Sequence, residues 1–278
     1  CSGVDFSNVT EIFSNDYGFV ALKKHLGQAS CWSSLGWLCS DVDFSNVTEI
    51  YSNPRAFVAW KKDLGQASCW GISDVGGDCS GVDFSGVTEI YSNYEAFVAW
   101  KKDRGQAICW GNRGGDCSRV DFSGVTEIYS SCFAFVALKK DLGQASCWGD
   151  SGNGGAGHCS ELDFSNVTEI YSNCFAFAAL KRDLAQAICW GDSQYGGDCS
   201  RIDFSGVTEI YSNHLAFVAL KPGSRSPVSP GVVVMAVGVI AAAVFAVVAI
   251  IVVRRRYRQR RGEPALLTHQ GTALVNRT

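Results

Sequence analysis

The sequence contains few of the residues from which a metal centre or a catalytic site is usually built. It has only four histidines, and they share no phase with the internal repeat: His25, His158, His214 and His269. Its thirteen cysteines never occur in the C-x-x-C spacing typical of zinc sites. No Ser/His/Asp set or carboxylate pair breaks the repeat, whereas an active site needs residues that occur once. We therefore expect no metal, no cofactor and no catalytic residue, which makes an extracytoplasmic enzyme the weaker alternative.

Charge is absent from the segment GVVVMAVGVIAAAVFAVVAIIVV, residues 231–253. At about 1.5 Å per residue, a helix of this length crosses a hydrocarbon layer of roughly 30 Å. It is followed by RRRYRQRR, residues 254–261, a basic run typical of the cytoplasmic side. The sequence therefore predicts a single-pass membrane protein with its N-terminus extracellular or lumenal. Its predicted parts are an ectodomain at 1–221, a stalk at 222–230, a transmembrane helix at 231–253 and a cytoplasmic tail at 254–278.

Positive charge is scarce in the first 230 residues, where 17 lysines and arginines face 26 carboxylates and give a net charge of −9. Such an acidic ectodomain is a poor binder of nucleic acid, so we expect no nucleic-acid partner. The bilayer is the predicted partner of the apolar segment. Within it, Gly238, Ala242 and Ala246 form a stripe of small residues that would permit homodimerisation through the helix.

An internal repeat dominates the rest of the chain. The strings VDFSNVTEIYSN, AFVALKKDLGQASCWG and GGDCS recur in order, with five complete units and one partial unit. The units begin at Cys1, Cys39, Cys79, Cys117, Cys159 and Cys199. Each Cys-Ser cysteine lies 30 residues before the next Cys-Trp cysteine, and all length variation falls in the following loop, whose cysteines are 8, 10, 8, 12 and 10 apart.

Each unit of about 40 residues is predicted to contain four short strands. In the second unit and the start of the third they are Val47–Ser52, Ala56–Lys62, Gly65–Gly71 and Cys79–Phe84. Because strand side chains alternate with period two, the even steps in loop length predict a β-hairpin whose two cysteines face each other. The alternative is a helical solenoid, since residues 175–190 are good helix formers, but glycine interrupts that helix in the other complete units.

The repeat resembles that of the regulator of chromosome condensation, whose units are blades of a β-propeller. The resemblance is carried by VTEIYSNYEAFVAWKKDRGQAICWG, residues 87–111, and by WGDSQYGGDCS, residues 190–200. It implies a propeller-like array over residues 1–221. Asn53 and Asn93 stand where the family has Gly, and we expect them to adopt the left-handed conformation. The family's His is Ala or Gly here, so the exchange and chromatin-binding activities are not carried over.

Disulfides are the leading explanation of the cysteines in an oxidising compartment. Pairing across each loop joins Cys31 with Cys39, Cys69 with Cys79, Cys109 with Cys117, Cys147 with Cys159 and Cys189 with Cys199. The rival scheme joins the ends of the 30-residue spacing, as in Cys39 with Cys69. The first scheme leaves Cys1 over, as expected of a processed or truncated chain. Cys132 and Cys174 are expected to be small buried residues or free thiols.

Two further sets of residues recur. Asn8, Asn46 and Asn166 each begin an N-V-T sequon and are predicted glycosylation sites. A glutamate follows the sequon threonine in every unit, at Glu11, Glu49, Glu89, Glu127, Glu169 and Glu209. These carboxylates are expected to form cross-strand ion pairs with Lys61, Lys101, Lys139 and their equivalents, the alternative being a ring that binds a cation.

The function predicted from the sequence is binding, as a receptor-like, adhesion or scaffold ectodomain. Length variation is confined to one loop of each unit while the framework is constant, so a protein or glycan ligand is expected to contact those loops. By family analogy, the alternative is a regulatory propeller of the exchange-factor or ubiquitin-ligase-accessory type.

Overall fold

The computed structural model describes residues 6–36, 39–221 and 232–234, and these residues form six antiparallel three-stranded sheets with strands in chain order. The strands are β1 Glu11–Ser14, β2 Gly18–Lys23, β3 Gln28–Ser33, β4 Glu49–Asn53, β5 Ala56–Lys61, β6 Gln66–Gly71, β7 Glu89–Ser92, β8 Ala96–Lys101, β9 Gln106–Gly111, β10 Glu127–Ser130, β11 Ala134–Lys139, β12 Gln144–Gly149, β13 Glu169–Ser172, β14 Ala176–Lys181, β15 Gln186–Gly191, β16 Glu209–Ser212, β17 Phe217–Leu220 and β18 Val232–Val234. Helical structure in this part of the chain is limited to 3-10 turns of three residues. The all-β prediction is confirmed, and the helical solenoid is wrong.

The chain divides into two compact units, residues 1–167 and residues 168–278. The first unit contains the sheets β1–β3, β4–β6, β7–β9 and β10–β12, and the second contains β13–β15 and β16–β18. Each of the first five sheets corresponds to one sequence repeat, and the sixth takes its first two strands from the sixth repeat, so the architecture is an array of three-stranded units of about 40 residues.

The middle strand is the most apolar strand of the second to fifth sheets because both of its faces are covered. In β5 all six residues, AFVAWK, are buried, whereas the flanking strands β4 and β6 are only partly buried. The register aligns Phe57 with Trp70 and Val58 with Cys69. A strand covered on both faces is expected to be a continuous apolar run instead of an alternating one. The pattern AFVAL is therefore the signature of the middle strand.

The hydrophobic cores of the first unit lie between consecutive sheets. Val20 and Leu22 of β2 pack with Phe44, Ile50 and Phe57 of the next repeat. The same arrangement recurs between the second and third sheets and between the third and fourth. A single sheet could not bury both faces of its middle strand, so each repeat depends on its neighbour for stability.

The predicted fourth strand is wrong. Residues 79–87 instead form two successive turns, closed by the bonds from Val82 N to Cys79 O and from Val87 N to Phe84 O. Asp78 and Asp83 cause this conformation, since the Oδ1 atom of each accepts a hydrogen bond of 2.9 Å from the backbone two residues further on. An aspartate that bonds locally to the backbone favours a turn over an extended strand. The same pair of turns follows Cys39, Cys117, Cys159 and Cys199.

The third strand of the sixth sheet comes from the predicted transmembrane segment. Val232–Val234 form β18, which pairs with β17 where the sequence predicts the start of a helix. Valine is a good strand former, and β17 is the middle strand of a sheet that otherwise lacks its third strand. The remainder of the segment 231–253 lies outside the described residues. No helix among the described residues is long and apolar enough to cross a membrane.

In the first five repeats the turn between the second and third strands ends in the left-handed conformation. Glycine occupies this position in four repeats, with φ between 59° and 62° at Gly27, Gly65, Gly105 and Gly143. The fifth repeat has Ala185 there, with φ of 54°. A β-carbon destabilises this conformation, so the fifth repeat is strained at this residue.

Replacing this alanine is expected to stabilise the protein. Ala185→Gly should raise the free energy of unfolding by about 0.5–1 kcal/mol. This is the strain relieved in the folded state minus the cost of the greater chain entropy that glycine gives the unfolded state. The reverse change, Gly105→Ala, should be destabilising, since its Cβ would lie 3.0 Å from the Cα atom of Ser123. Chemical denaturation of both variants measures the two effects. The two variants should change the free energy of unfolding in opposite directions. Equal shifts in the same direction would refute the explanation.

Candidate functional site

Two segments of each repeat differ most between repeats, and they lie at the same end of the sheet. One is the two-residue turn between the first and second strands, and the other is the loop between paired cysteines. In the third repeat, Asn112 N of the loop donates to Glu95 O of the turn at 2.7 Å. In the fourth, Asp150 N donates to Phe133 O at 2.9 Å. We call this the variable end of each repeat.

One asparagine connects the two variable segments. Asn93 Oδ1 accepts hydrogen bonds from Glu95 N at 2.8 Å and Ala96 N at 2.7 Å, while its Nδ2 atom donates to Arg113 O at 2.9 Å. Asn53 likewise donates to Val75 O of its own loop at 2.7 Å. Neither residue has a positive φ, so the expected left-handed conformation is wrong. Asparagine is needed for its side-chain amide, which holds the turn and the loop together.

The cysteine loop is closed by a disulfide in every repeat that contains both cysteines. The bridges join Cys31–Cys39, Cys69–Cys79, Cys109–Cys117, Cys147–Cys159 and Cys189–Cys199, with Cα atoms 5.6 to 5.8 Å apart. Pairing is therefore across the loop, and the rival scheme along the 30-residue spacing is not adopted. Cys132 and Cys174 are buried, as expected, and the alternative that they are free thiols is wrong because both are disulfide-bonded. Cys1 lies outside the described residues.

The loop is not the β-hairpin that its even steps predict. Cys69 lies on β6, but Cys79 follows a 3-10 turn at Ser73–Val75 and begins the pair of turns already described. The loop is fixed by the next sheet: Trp110 Nε1 donates to Gly76 O at 3.1 Å, and a Cβ on Gly76 would lie 2.5 Å from the ring of Phe97. Trp148 and Gly114 repeat this contact. These glycines allow close packing, and the loops are anchored.

A cavity of about 670 Å³ lies beside the loops of the third and fourth repeats. Its walls include Arg113, Asp116, Arg119 and Asp150, together with the longest cysteine loop. The Arg113 guanidinium lies 3.7 Å from Asp150 and 5.1 Å from the centre of the Phe133 ring. The cavity thus combines two arginines, two aspartates and exposed backbone of glycine-rich loops. Such mixed polar walls suit hydrogen bonding to a ligand better than a purely apolar contact.

An aromatic pair contacts Arg113, which lines this cavity. The ring of Tyr94 meets that of Phe133 edge-on at 5.9 Å between centroids, and Tyr94 N donates to Cys132 O at 3.0 Å. The corresponding turn positions in other repeats carry Asp16, Pro54, Cys174 and His214. Tyr94 and Arg113 therefore distinguish this pair of repeats from the others, whereas the fifth repeat also has a phenylalanine, Phe175, at the position of Phe133.

The opposite end of each sheet, the constant end, comprises the 3-10 turn and the turn that contains Asp-Phe-Ser. There, Lys101 Nζ, which is nearly inaccessible to solvent, bonds to the exposed Asp83 at 2.7 Å. Lys61–Asp43, Lys139–Asp121 and Lys221–Asp203 repeat the pair at 2.5 to 2.8 Å. The lysines predicted to pair with the recurring glutamates thus pair with these aspartates. Register explains the error, because Glu49 lies opposite Trp60 and not opposite Lys61.

The recurring glutamates accept hydrogen bonds from a tyrosine two residues further along the same strand. Tyr51 donates to Glu49, and the pair recurs in the next four repeats. Burial, followed by the bond to the carboxylate, raises the pKa of Tyr51 and Tyr91. Lys24, Lys140 and Arg182 supply nearby cations, at 3.6, 3.7 and 2.9 Å from their glutamates. Each carboxylate therefore already has partners within the protein, so the arrangement gives no support to a cation-binding ring.

The lysine–aspartate pairs predict acid sensitivity. The hydrogen bond from Lys101, followed by that from Ser85, holds the pKa of Asp83 well below its usual value, and Asp43, Asp121 and Asp203 behave alike. Because the folded-state pKa is depressed, the stabilisation is complete above the unfolded pKa of about 4 and is lost as pH falls through the folded value.

Denaturation between pH 2 and pH 6 measures this contribution. The free energy of unfolding should fall steadily below about pH 5, and less steeply once all four aspartates are changed to asparagine. Asp103→Asn is the matched control, since Asp103 is exposed at the same end of the sheet. An unchanged pH slope in the fourfold variant would contradict the prediction.

The sequon asparagines also lie at the constant end. Asn8, Asn46 and Asn166 are exposed and have φ of 57° to 60°, and the equivalent positions carry Gly86, Gly124 and Gly206 with φ of 70° to 73°. This turn position therefore requires a residue that tolerates the left-handed region, a condition that asparagine and glycine both meet. Glycosylation at the three asparagines stays a prediction.

The fold and its variable end define a disulfide-bonded, all-β repeat domain. No protein-family model and no curated protein matches the chain. Among solved structures, it is similar to the CRINKLY WD40 ectodomain of the Arabidopsis thaliana receptor kinase ACR4, with a TM-score of 0.48 and 15% identity over 84% of this chain and 82% of that one. It is also similar to the entire ectodomain of the Physcomitrella patens receptor kinase CR4, with a TM-score of 0.48 and 14% identity over 79% of this chain and 60% of that one. The resemblance to the chromosome-condensation regulator stays an interpretation of its motifs.

Proposed function

We propose that the chain is a single-pass membrane protein whose propeller-like repeat ectodomain is extracellular or lumenal and acts as a receptor-like or adhesive binding module. The observation that carries this proposal is the convergence of both variable segments at one end of each repeat, where backbone hydrogen bonds join them. The disulfides support the compartment, since they persist in oxidising surroundings and are rare in the cytosol.

The proposed ligand, a protein or a glycan, binds at the variable end of the third and fourth repeats. Tyrosine and arginine are enriched among the residues that dominate binding energy. Arg113 lines the cavity, and its guanidinium lies over the ring of Phe133, on which Tyr94 packs. The anchored loops hold these side chains on a framework that is ordered before binding, which lowers the entropy cost of association. The sequons lie at the constant end, so glycans attached to them would leave the variable end accessible.

A loop replacement tests the proposal. The nine residues 150–158 are replaced with Asn-Arg-Gly-Gly-Asp, the sequence of residues 112–116, which shortens the cysteine spacing from 12 to 8 and keeps both cysteines. Ligands that bind the native full-length chain on glycan and extracellular-protein arrays should bind the variant at least tenfold more weakly. The matched control is Leu142→Arg at the constant end, where Arg104 occupies the equivalent position.

Both variants must retain the far-ultraviolet circular dichroism and the number of reactive thiols of the native chain, which shows that the framework is intact. Binding of the control should equal that of the native chain. If the loop variant keeps its affinity, the variable end is not the recognition surface. Equal losses in the two variants would also contradict the proposal, because they would indicate a general effect on the repeat.

A further inference from the structure

The first sheet exposes a face that is buried in the repeats that follow it. Phe6, Ile12 and Phe19 are 46%, 58% and 44% exposed. Their counterparts in the second repeat, Phe44, Ile50 and Phe57, are 3%, 8% and 2% exposed. We call this the front face of a sheet. A contiguous apolar face of this kind on a protein surface marks an interaction site.

The structure shows what covers this face elsewhere in the first unit. The front face of the second sheet packs on Val20 and Leu22 of β2, the middle strand of the preceding sheet, together with Phe13 of β1. We call these residues the back face of a sheet. The front face of the third sheet packs in the same way on Val58 and Trp60 of β5. The surface that fits a front face is therefore known in chemical detail.

A polar contact fixes the register of this packing. Ser52 Oγ donates to Ser14 O at 3.3 Å, and Ser92 Oγ donates to Ser52 O at 3.0 Å. The first strands of neighbouring sheets in this unit are thus aligned serine to serine. Any surface that covers the front face of the first sheet in the same way would place a serine carbonyl within reach of Ser14 Oγ.

The sixth sheet presents a back face that is more exposed than its counterparts. Tyr211 is 48% exposed, whereas Tyr91 of the third sheet is 9% exposed. Val218 and Leu220 are half-buried, whereas the equivalent side chains of β5, Val58 and Trp60, are almost completely buried. Ser212 occupies the position of Ser14 and Ser52 in this sheet.

We propose that the front face of the first sheet binds the back face of the sixth sheet of a second copy of this chain. The two surfaces carry the same residue types that pack against each other between consecutive sheets, including the aligned serines. Because the two surfaces differ, the contact is head-to-tail, and each dimer keeps one front face and one back face for further copies. Association through these sheets is independent of the homodimer predicted from the apolar segment.

Cross-linking between two differently tagged full-length chains tests the proposal. One chain carries Ser14→Cys and the other Ser212→Cys, so a disulfide joining the two tags can form only between copies. Mixed in mild detergent under oxidising conditions, they should give a cross-linked product that contains both tags. Adding Ile12→Glu to the first chain should reduce its yield at least tenfold, because a charge would be buried in the apolar contact.

Two control variants separate this contact from other association. Leu142→Glu alters a side chain that is 63% exposed but lies off the front face, and it should leave the yield unchanged. Gly238→Ile, in the small-residue stripe, should also leave it unchanged. Absence of the mixed product would overturn the proposal. So would a yield that is insensitive to Ile12→Glu, or one that falls with Gly238→Ile, since the contact would then lie elsewhere.

Discussion

Phe135→Ala is expected to lower the free energy of unfolding by about 3–5 kcal/mol, the range found when a buried phenylalanine is truncated to alanine. Phe135 lies on β11, the middle strand of the fourth sheet, and is completely buried. Its ring stacks on Trp148 with centroids 5.2 Å apart. The ring also packs against Gly114 in the preceding loop, where a Cβ would lie 2.8 Å from it. The substitution therefore opens a cavity between two repeats and loosens the loop anchor at the same time.

The repeat supplies a matched control for this substitution. Phe19 occupies the same position in the first sheet and stacks on Trp32 at 5.4 Å, but it is 44% exposed. Phe19→Ala should cost only about 1 kcal/mol, because much of its surface is already in contact with water. Urea denaturation at low protein concentration measures both losses. Equal losses would show that burial between consecutive sheets is not what stabilises the array.

The sequence predicted the elements that follow from periodicity. The strings AFVAL and AFVAW predict the middle strands as continuous apolar runs. The glycines that end the 3-10 turns are recognisable because they interrupt the helical pattern in four of the five complete repeats. The extra strand at Cys79–Phe84 was predicted wrongly because its alternation suits a strand, whereas Asp78 and Asp83 bond to their own backbone. The local hydrogen bond outweighs the apolar pattern there.

The variable end could be predicted only in part. Loop length pointed to the cysteine loop, but the contribution of the two-residue turn depends on hydrogen bonds that sequence comparison of the repeats does not reveal. Asn93 illustrates the difficulty: it was interpreted through its backbone conformation, yet it acts through both atoms of its side-chain amide. The cavity walls likewise combine Arg113 with Asp150 from another repeat, and the distance between those residues follows only from the packing of the two sheets.

Replacing both members of a disulfide with alanine is expected to have a similar cost for loops of different length. In the chain-entropy model, removing Cys109–Cys117 should lower the free energy of unfolding by about 2.5 kcal/mol and removing Cys147–Cys159 by about 3 kcal/mol. The difference is small because the entropy of loop closure depends on the logarithm of loop length. Denaturation of the two double variants, with and without reductant, measures both losses. Since the bridge is already missing from each variant, reductant should not increase the loss of unfolding free energy that the removal of that bridge causes.

The near equality of these two losses of unfolding free energy means that the cysteine loop can change length with little effect on the stability of the repeat. If the longer loop contributed much more or much less than the shorter one, each change of length would have to be compensated elsewhere in the framework. Trp148 donates the anchoring hydrogen bond to Gly114 O from its position on β12, so we expect this bond to stay in place when the Cys147–Cys159 disulfide is removed. The Cys147–Cys159 variant should therefore keep its fold while the cavity that both cysteines line is altered. We expect this variant to lose ligand binding while it keeps its fold. A variant that lacks Cys31–Cys39 should keep both ligand binding and the fold.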